Sequence, residues 1–364
     1  MAPRSRMRVC FLTERQVGHN SVAGVLQRYA AKQTDVDVTW CDVTYHVEGG
    51  LIEGLPLPER TKGVLRGYQQ TGTGLSDGPF DALFFFTHNP AVFRHAALKK
   101  TPACVWTDVT PAQYHELADA YEQPVARSRV LRFAKFAAVR RTFRLARRCL
   151  GFSEWARRSF VNDYGIEERN TGVVPPGVDL AFWQGGESRH GDRAPFRLVF
   201  VGGHFERKGG RLLLDVFRER FRGRCELSIV TRDPIEDEPG VRVHRGITAG
   251  SDALRALLKA ADAFVLPTVA DCHSIASLEA MASGLPVILT RFGAAPEIIL
   301  DGETGLLIPA ANGRALGDAI EALVSDPARA RGMGERGLSL VRTKFEGEAT
   351  VRKILDHLRE IARQ

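Results

Sequence analysis

Residues 268–289 read TVADCHSIASLEAMASGLPVIL, a succession of loop, helix, tight turn and buried strand. Asp271 stands in the loop, with His273 close behind it. Ser274 carries the short side-chain oxygen of a helix N-cap. The N–H groups of Ile275 and Ala276 then lack intrahelical acceptors and can meet an anion. Glu279 follows Asp271 by eight positions, about two turns into the expected helix. Gly284 and Pro286 end the helix and turn the chain into the apolar run 287–289. A loop carboxylate, a helix start and a second carboxylate suit a sugar, a diphosphate and a ribose lying in a row.

Upstream, 198–201 is apolar and strand-like. Gly202-Gly203-His204-Phe205-Glu206-Arg207-Lys208-Gly209-Gly210 follows, with a helix expected from Arg211. A glycine-rich turn, cations and a helix start make a phosphate cradle on physical grounds. The beginning of the chain has the same layout. An apolar strand at 7–13 leads into a loop with Gly18 and His19 and then a helical pattern over 22–31. There is no G-x-G-x-x-G. The runs 36–41, 82–86, 103–106 and 150–153 read as further strands, and 82–86 is apolar throughout, as in a strand buried on both faces. Residues 59–70 read as a helix and 72–78 as a turn-rich break. Asp108, at the end of the 103–106 strand, either orients a ligand or caps the helix begun by Pro111.

The stretch 126–149 interleaves cations, Arg127 to Arg148, with Val130, Leu131, Phe133, Phe136 and Phe143. It reads as an amphipathic helix with a cationic face. Either that face is solvated above the domain core, or it meets anionic lipid or an anionic ligand. Residues 184–195 read as a linker, which puts a domain boundary near 180–195. The 364 residues suffice for two domains, and a hydrophobic share of 44% with 26% charged residues is ordinary for a globular protein. No segment reaches the roughly 18 apolar residues of a membrane span, and 9–12 is too short for a signal-peptide core, so a cytoplasmic protein is expected. The six cysteines form no C-x-x-C pair, so neither a zinc site nor a redox motif is indicated. The net charge of +7 fits an anionic partner without naming it, and no nucleic-acid module is recognisable.

Asp271, Leu278-Glu279-Ala280-Met281-Ala282 and Lys208-Gly209 together resemble the donor-site signature of the family 4 retaining glycosyltransferases. The resemblance implies an α/β GT-B fold of two doubly wound Rossmann-like domains facing a central cleft. The first, 1–185, would bind the acceptor. The second, 196–345, would bind the nucleotide-sugar donor, and a last helix near 346–364 would pack back on the first. It implies transfer of a sugar from a nucleotide-diphosphate donor to an acceptor hydroxyl with retained configuration, without a cofactor or a metal ion. Lys208 and Arg207, with the N–H groups of Ser274, Ile275 and Ala276, would neutralise the leaving diphosphate. Glu279 would hold the ribose and Asp271 would orient the donor sugar. Gly18, His19, Gly203 and His273 would line the donor site, and main chain near Ile247 would meet the base. The chain departs from the family in four places. Asp271 replaces a Glu, Cys272 and Ser274 replace glycines, Gly203 and His204 stand where an Arg is usual, and Thr107 with Asp108 replace a His. Asp108 is the candidate acceptor-side carboxylate. Two rivals stay open: a nucleotide-sugar epimerase of the same fold, and a nucleotide-sugar-binding scaffold that has lost turnover. The expected partners are a nucleotide sugar and an acceptor (small molecule, glycan or lipid-linked). Peripheral contact of 126–149 with the inner membrane face is a further expectation, and nucleic acid is not expected.

Overall fold

The computed structural model describes residues 6–15, 18–46, 50–116, 129–184 and 195–364. They fall into two compact units. The first holds the described residues up to 176 together with 348–364, and the second holds 177–347. Most of the expected linker, 185–194, lies outside the described residues, as do 126–128 with Arg127.

The first unit is built on six parallel strands: β1 (Met7–Glu14), β2 (Val36–Val43), β3 (Ala82–Phe86), β4 (Ala103–Thr107), β5 (Arg148–Gly151) and β6 (Thr171–Val173). Their spatial order is β2-β1-β3-β4-β5-β6. Every residue of β3 and β4 is buried. A run such as Ala-Leu-Phe-Phe-Phe has no polar face to offer, so it is stable only with helices over both sides of the sheet. Trp106 carries a polar group into this core, and its indole N–H donates to the Val174 carbonyl at 2.7 Å. The last helix, Gly347–Ala362, buries Val351, Ile354, Leu355, Leu358 and Ile361, one stripe at helical spacing. Within this unit Arg359 donates to Asp35 and Arg148 to Glu360.

Two local expectations change. The helix read over 59–70 runs from Glu59 to Ser76, through the glycines taken for a break. These glycines are contact points. A β-carbon on Gly74 would fall 2.4 Å from the Cys41 side chain, and one on Gly72 would fall 2.5 Å from Arg94. Close packing against neighbours outweighs glycine's weak helix propensity here. The basic helix spans Arg129–Leu145, and only its second half, with Val139, Thr142 and Phe143, is buried. Val130 and Phe133 are 78% and 74% exposed. Its first turns, up to Phe133, therefore do not cover a core, whereas Phe136 stacks on the buried Tyr164 at 5.1 Å.

The second unit carries β7 (Phe196–Val201), β8 (Cys225–Val230), β9 (Val241–His244), β10 (Ala263–Leu266), β11 (Val287–Thr290) and β12 (Gly305–Ile308), all parallel. Their order is β12-β11-β10-β7-β8-β9. Read from β9, this is the 3-2-1-4-5-6 order of doubly wound dinucleotide-binding folds. The first unit extends the 2-1-3-4-5 order instead. In both sheets consecutive connections leave one strand in opposite directions, and the crevice opens at its carboxyl end. That point lies between β7 and β10 in the second unit and between β1 and β3 in the first.

Candidate functional site

The loops after β7 and β10 flank the second unit's switch point, and the sequence put its phosphate and sugar groups on these two loops. They are brought together. Lys208 Nζ lies 2.5 Å from Asp271 Oδ2, with both side chains mostly buried. The turn that presents Lys208 needs glycine behind it. Gly209 has φ +77°, and a β-carbon there would fall 1.9 Å from the Pro267 carbonyl. Arg207 bonds the neighbouring loop. Its guanidinium donates to the Ala270 carbonyl at 3.0 Å, while its own carbonyl accepts from Val269 N and Thr268 Oγ1. Arg207 thus staples the two loops together. The loop after β11 braces the one after β10: Ala294 N donates to the Cys272 carbonyl, and Gly293 leaves no room for a side chain against the Asp271 carbonyl.

Ser274 is the N-cap of the helix Ile275–Ala282, and its Oγ accepts from Ser277 N at 3.2 Å. Ser277 Oγ lies 2.6 Å from Ser274 Oγ, which fixes the cap's rotamer. The first-turn N–H groups of Ile275 and Ala276 have no intrahelical acceptor, as at any helix start. Glu279 is buried, at 3% exposure. Because the helix begins at Ile275, Glu279 stands little more than one turn in, on the same face as Ile275, and not two turns in. His273 is buried beside Phe345, with ring centroids 6.4 Å apart. Ile247 follows β9 beyond Gly246, at the same carboxyl edge of the sheet. Gly203 follows β7, and the nearest group to a β-carbon built on it is the Arg232 guanidinium, 3.0 Å away.

The first unit's switch point holds a second cluster of ionisable groups. Its centre, Glu14, was missed in the sequence. Glu14 ends β1 at 1% exposure and accepts from Thr87 Oγ1 at 2.5 Å and Asn89 Nδ2 at 3.2 Å. Thr87 is held at φ +70° and Tyr45 at φ +58°, left-handed values that are costly for a β-branched or aromatic residue and that collect at functional sites. The imidazole of His19 lies between two carboxylates, with Nδ1 3.9 Å from Glu14 and Nε2 3.8 Å from Asp108. Burial opposes its charge, but Asp108 and Glu14 outweigh burial and raise His19 above the ordinary histidine value. His88, on the next loop, is pushed the other way, down to about 4, by burial. Burial and Glu14 also push the Tyr45 phenol up. Two histidines driven apart at one sheet edge is an arrangement typical of acid–base or ligand-holding sites. An acidic last residue on a central strand, just before a glycine loop, was the available sequence signal. Gly18 takes ordinary helical dihedrals with open space around its α-carbon.

All six cysteines are buried and free. Burial raises Cys10 to about 12 and Cys225 to about 11, so these are inert thiols.

Two parallel six-stranded sheets with these switch points define an α/β protein of two Rossmann-like units, and likeness to solved structures makes it the GT-B fold. Sucrose-phosphate synthase from Thermosynechococcus elongatus superposes at TM-score 0.75 with 17% identity, over 98% of this chain and 99% of that one. The Anabaena protein Alr3699/HepE, crystallised with UDP and glucose, superposes at TM-score 0.70 with 15% identity, over 97% and 100%. In sequence, residues 195–326 match the family described as Glycosyl transferases group 1. The D-inositol 3-phosphate glycosyltransferase of Pseudarthrobacter chlorophenolicus is 30% identical over 196 residues, 48% of this chain and 46% of its own length. The MMP alpha-(1->4)-mannosyltransferase of Mycolicibacterium hassiacum is 28% identical over 249 residues, 61% and 59%. The chain thus spans about half the length of the curated relatives it matches.

Proposed function

We propose that the protein is a glycosyltransferase that moves a sugar from a nucleotide-diphosphate donor to an acceptor hydroxyl. One observation carries this reading. Lys208 reaches across from a distant part of the chain to Asp271, which stands three residues before the Ser274-capped helix, at the switch point of the second sheet. Matching of residues 195–326 to group 1 glycosyltransferases supports the same reading. Lys208 has three N–H donors, so it can keep Asp271 while taking a phosphate oxygen. The helix start adds dipoles aimed at the second phosphate. Negative charge builds up on the leaving diphosphate as the sugar departs. Groups fixed in place before reaction stabilise that charge at no cost in reorganisation, and this is where the protein gains most. Glu279 takes the ribose hydroxyls, Asp271 the hydroxyls of the donor sugar, and main chain near Ile247 the base.

In the retaining course we propose, the bond from the anomeric carbon to the phosphate oxygen breaks as the acceptor oxygen bonds the same face. The acceptor proton passes to the leaving phosphate. Lys208 and the helix start supply the positive charge that a metal ion would otherwise bring. On the first unit, Asp108 accepts a hydrogen bond from the acceptor hydroxyl and is held by His19. The exposed, cation-flanked first half of the helix Arg129–Leu145 supports contact with an anionic lipid surface, where a lipid-linked acceptor would lie.

Release of nucleoside diphosphate from a panel of nucleotide sugars, with and without an acceptor mixture, tests the function. Acceptor-dependent release is expected. Donor isomerised without acceptor would replace the reading with an epimerase, and binding without any turnover would replace it with a scaffold.

A further inference from the structure

We propose that Arg232 is the second cation of the diphosphate site, filling the role that Gly203 leaves vacant on the first loop. This assignment rests on the function proposed above and adds a residue that the 202–210 motif does not contain.

Three observations lead to it. First, the motif cations are already engaged. Lys208 carries one positive charge and shares it with Asp271 at 2.5 Å. The Arg207 guanidinium is anchored on the Ala270 carbonyl. A diphosphate ester carries about two negative charges at neutral pH, and one shared lysine does not balance them.

Second, strand pairing carries Arg232 to the missing position. β7 and β8 are neighbours with Val201 opposite Val230, so Gly203 and Arg232 each follow a strand at adjacent points of one sheet edge. The Arg232 guanidinium lies over Gly203, with Nη2 3.0 Å and Nε 3.3 Å from where a β-carbon would be. A β-carbon at 203 would press on the guanidinium, which would have to shift by a few tenths of an ångström. Glycine after one strand and arginine after its neighbour are complementary.

Third, the backbone on both sides of Arg232 is held. Gly202 N donates to the Val230 carbonyl at 2.9 Å. Asp233 Oδ2 accepts from Phe205 N at 2.6 Å, and Asp233 N donates to Thr231 Oγ1 at 3.3 Å. The arginine therefore projects from a turn locked onto the phosphate loop. It is exposed and has no ion pair or hydrogen bond among the described residues, so a ligand oxyanion would not have to displace a partner. A guanidinium with an unengaged fork suits bidentate contact with a phosphate.

Calorimetric titration of the full chain with UDP, GDP and ADP, and with the matching uncharged nucleosides, tests the assignment. For whichever diphosphate binds the wild type, Arg232→Gln should weaken binding roughly 10-fold to 100-fold, the range of a charge-assisted hydrogen bond. Arg232→Lys should recover part of the loss, and nucleoside binding should not change. Arg314→Ala removes an arginine that is 92% exposed on the helix Gly313–Val324 and should change nothing, which controls for net charge. Unaltered diphosphate affinity in Arg232→Gln, with Lys208→Ala impaired, would overturn the role of Arg232 and leave the proposed function standing. An equal loss for nucleoside and diphosphate would overturn it too, by placing Arg232 on the base or ribose. No binding of any diphosphate by the wild type would overturn both.

Discussion

The Lys208–Asp271 pair sets competing demands on one lysine. Asp271→Asn removes the competitor, so diphosphate affinity should hold or rise by up to about tenfold, while turnover falls by about 100-fold because the donor sugar loses its orienting carboxylate. Calorimetry beside steady-state rates would check this, and affinity falling more than turnover would contradict it. Gly209→Ala combines left-handed strain with collision against the Pro267 carbonyl, and should cost at least about 2 kcal/mol in a urea unfolding series. His88 gives a pH signature. Its folded value is about 4 against an ordinary 6.5, so below pH 6.5 the unfolded chain gains a proton that the folded chain refuses. Its stabilising contribution is complete above pH 6.5 and is lost as pH falls towards 4, roughly 3 kcal/mol in all. His19 runs the other way, contributing below the ordinary histidine value and less as pH rises through its raised one. The drop in unfolding free energy between pH 7.5 and 5 should therefore be smaller in His88→Leu than in wild type. Lys208 and Asp271 were legible because each sits in a local motif. Glu14 and Arg232 were not, because they become neighbours of Thr87 and Gly203 only through strand pairing.

Among the elements, the helix Arg129–Leu145 departs most from an ordinary surface helix. Within it Arg129, Arg132, Arg141 and Arg144 have no acidic partner among the described residues, and Val130, Leu131 and Phe133 face solvent. Vesicle flotation should show retention on phosphatidylglycerol-containing vesicles that weakens in 0.5 M salt. Val130→Ser with Phe133→Ser should reduce it about tenfold or more, since each side chain is worth roughly 1.5 kcal/mol or more when buried. Equal retention on neutral vesicles, or no loss in the double variant, would contradict the lipid contact. The sequence showed this helix's charge and period, but which half meets the core depends on the helices beside it. The helix Glu59–Ser76 teaches the converse. Its glycines looked like punctuation, and only the positions of Cys41 and Arg94 show them to be packing contacts.

At the scale of the whole chain, most of the strands, the parallel class and the glycine-rich loop after β7 could be read from apolar runs and glycine placement, while the short β6 and β12 were not read as strands. The strand orders could not, because they depend on which way each crossover turns. Those orders decide the function proposed here: residues from separate loops meet because β7 lies beside β10 and β8, and Glu14 meets Thr87 because β1 lies beside β3. The basic net charge of +7 agrees with anionic ligands but selects none. The central claim is that a nucleoside diphosphate is held at the second sheet's carboxyl edge by Lys208 and the adjoining helix start. Titration of the wild type and Lys208→Ala with UDP, GDP and ADP tests it most directly. At least one diphosphate should bind the wild type, with affinity falling roughly 30-fold or more in a variant of unchanged melting temperature. Equal affinity in a folded Lys208→Ala protein would contradict it.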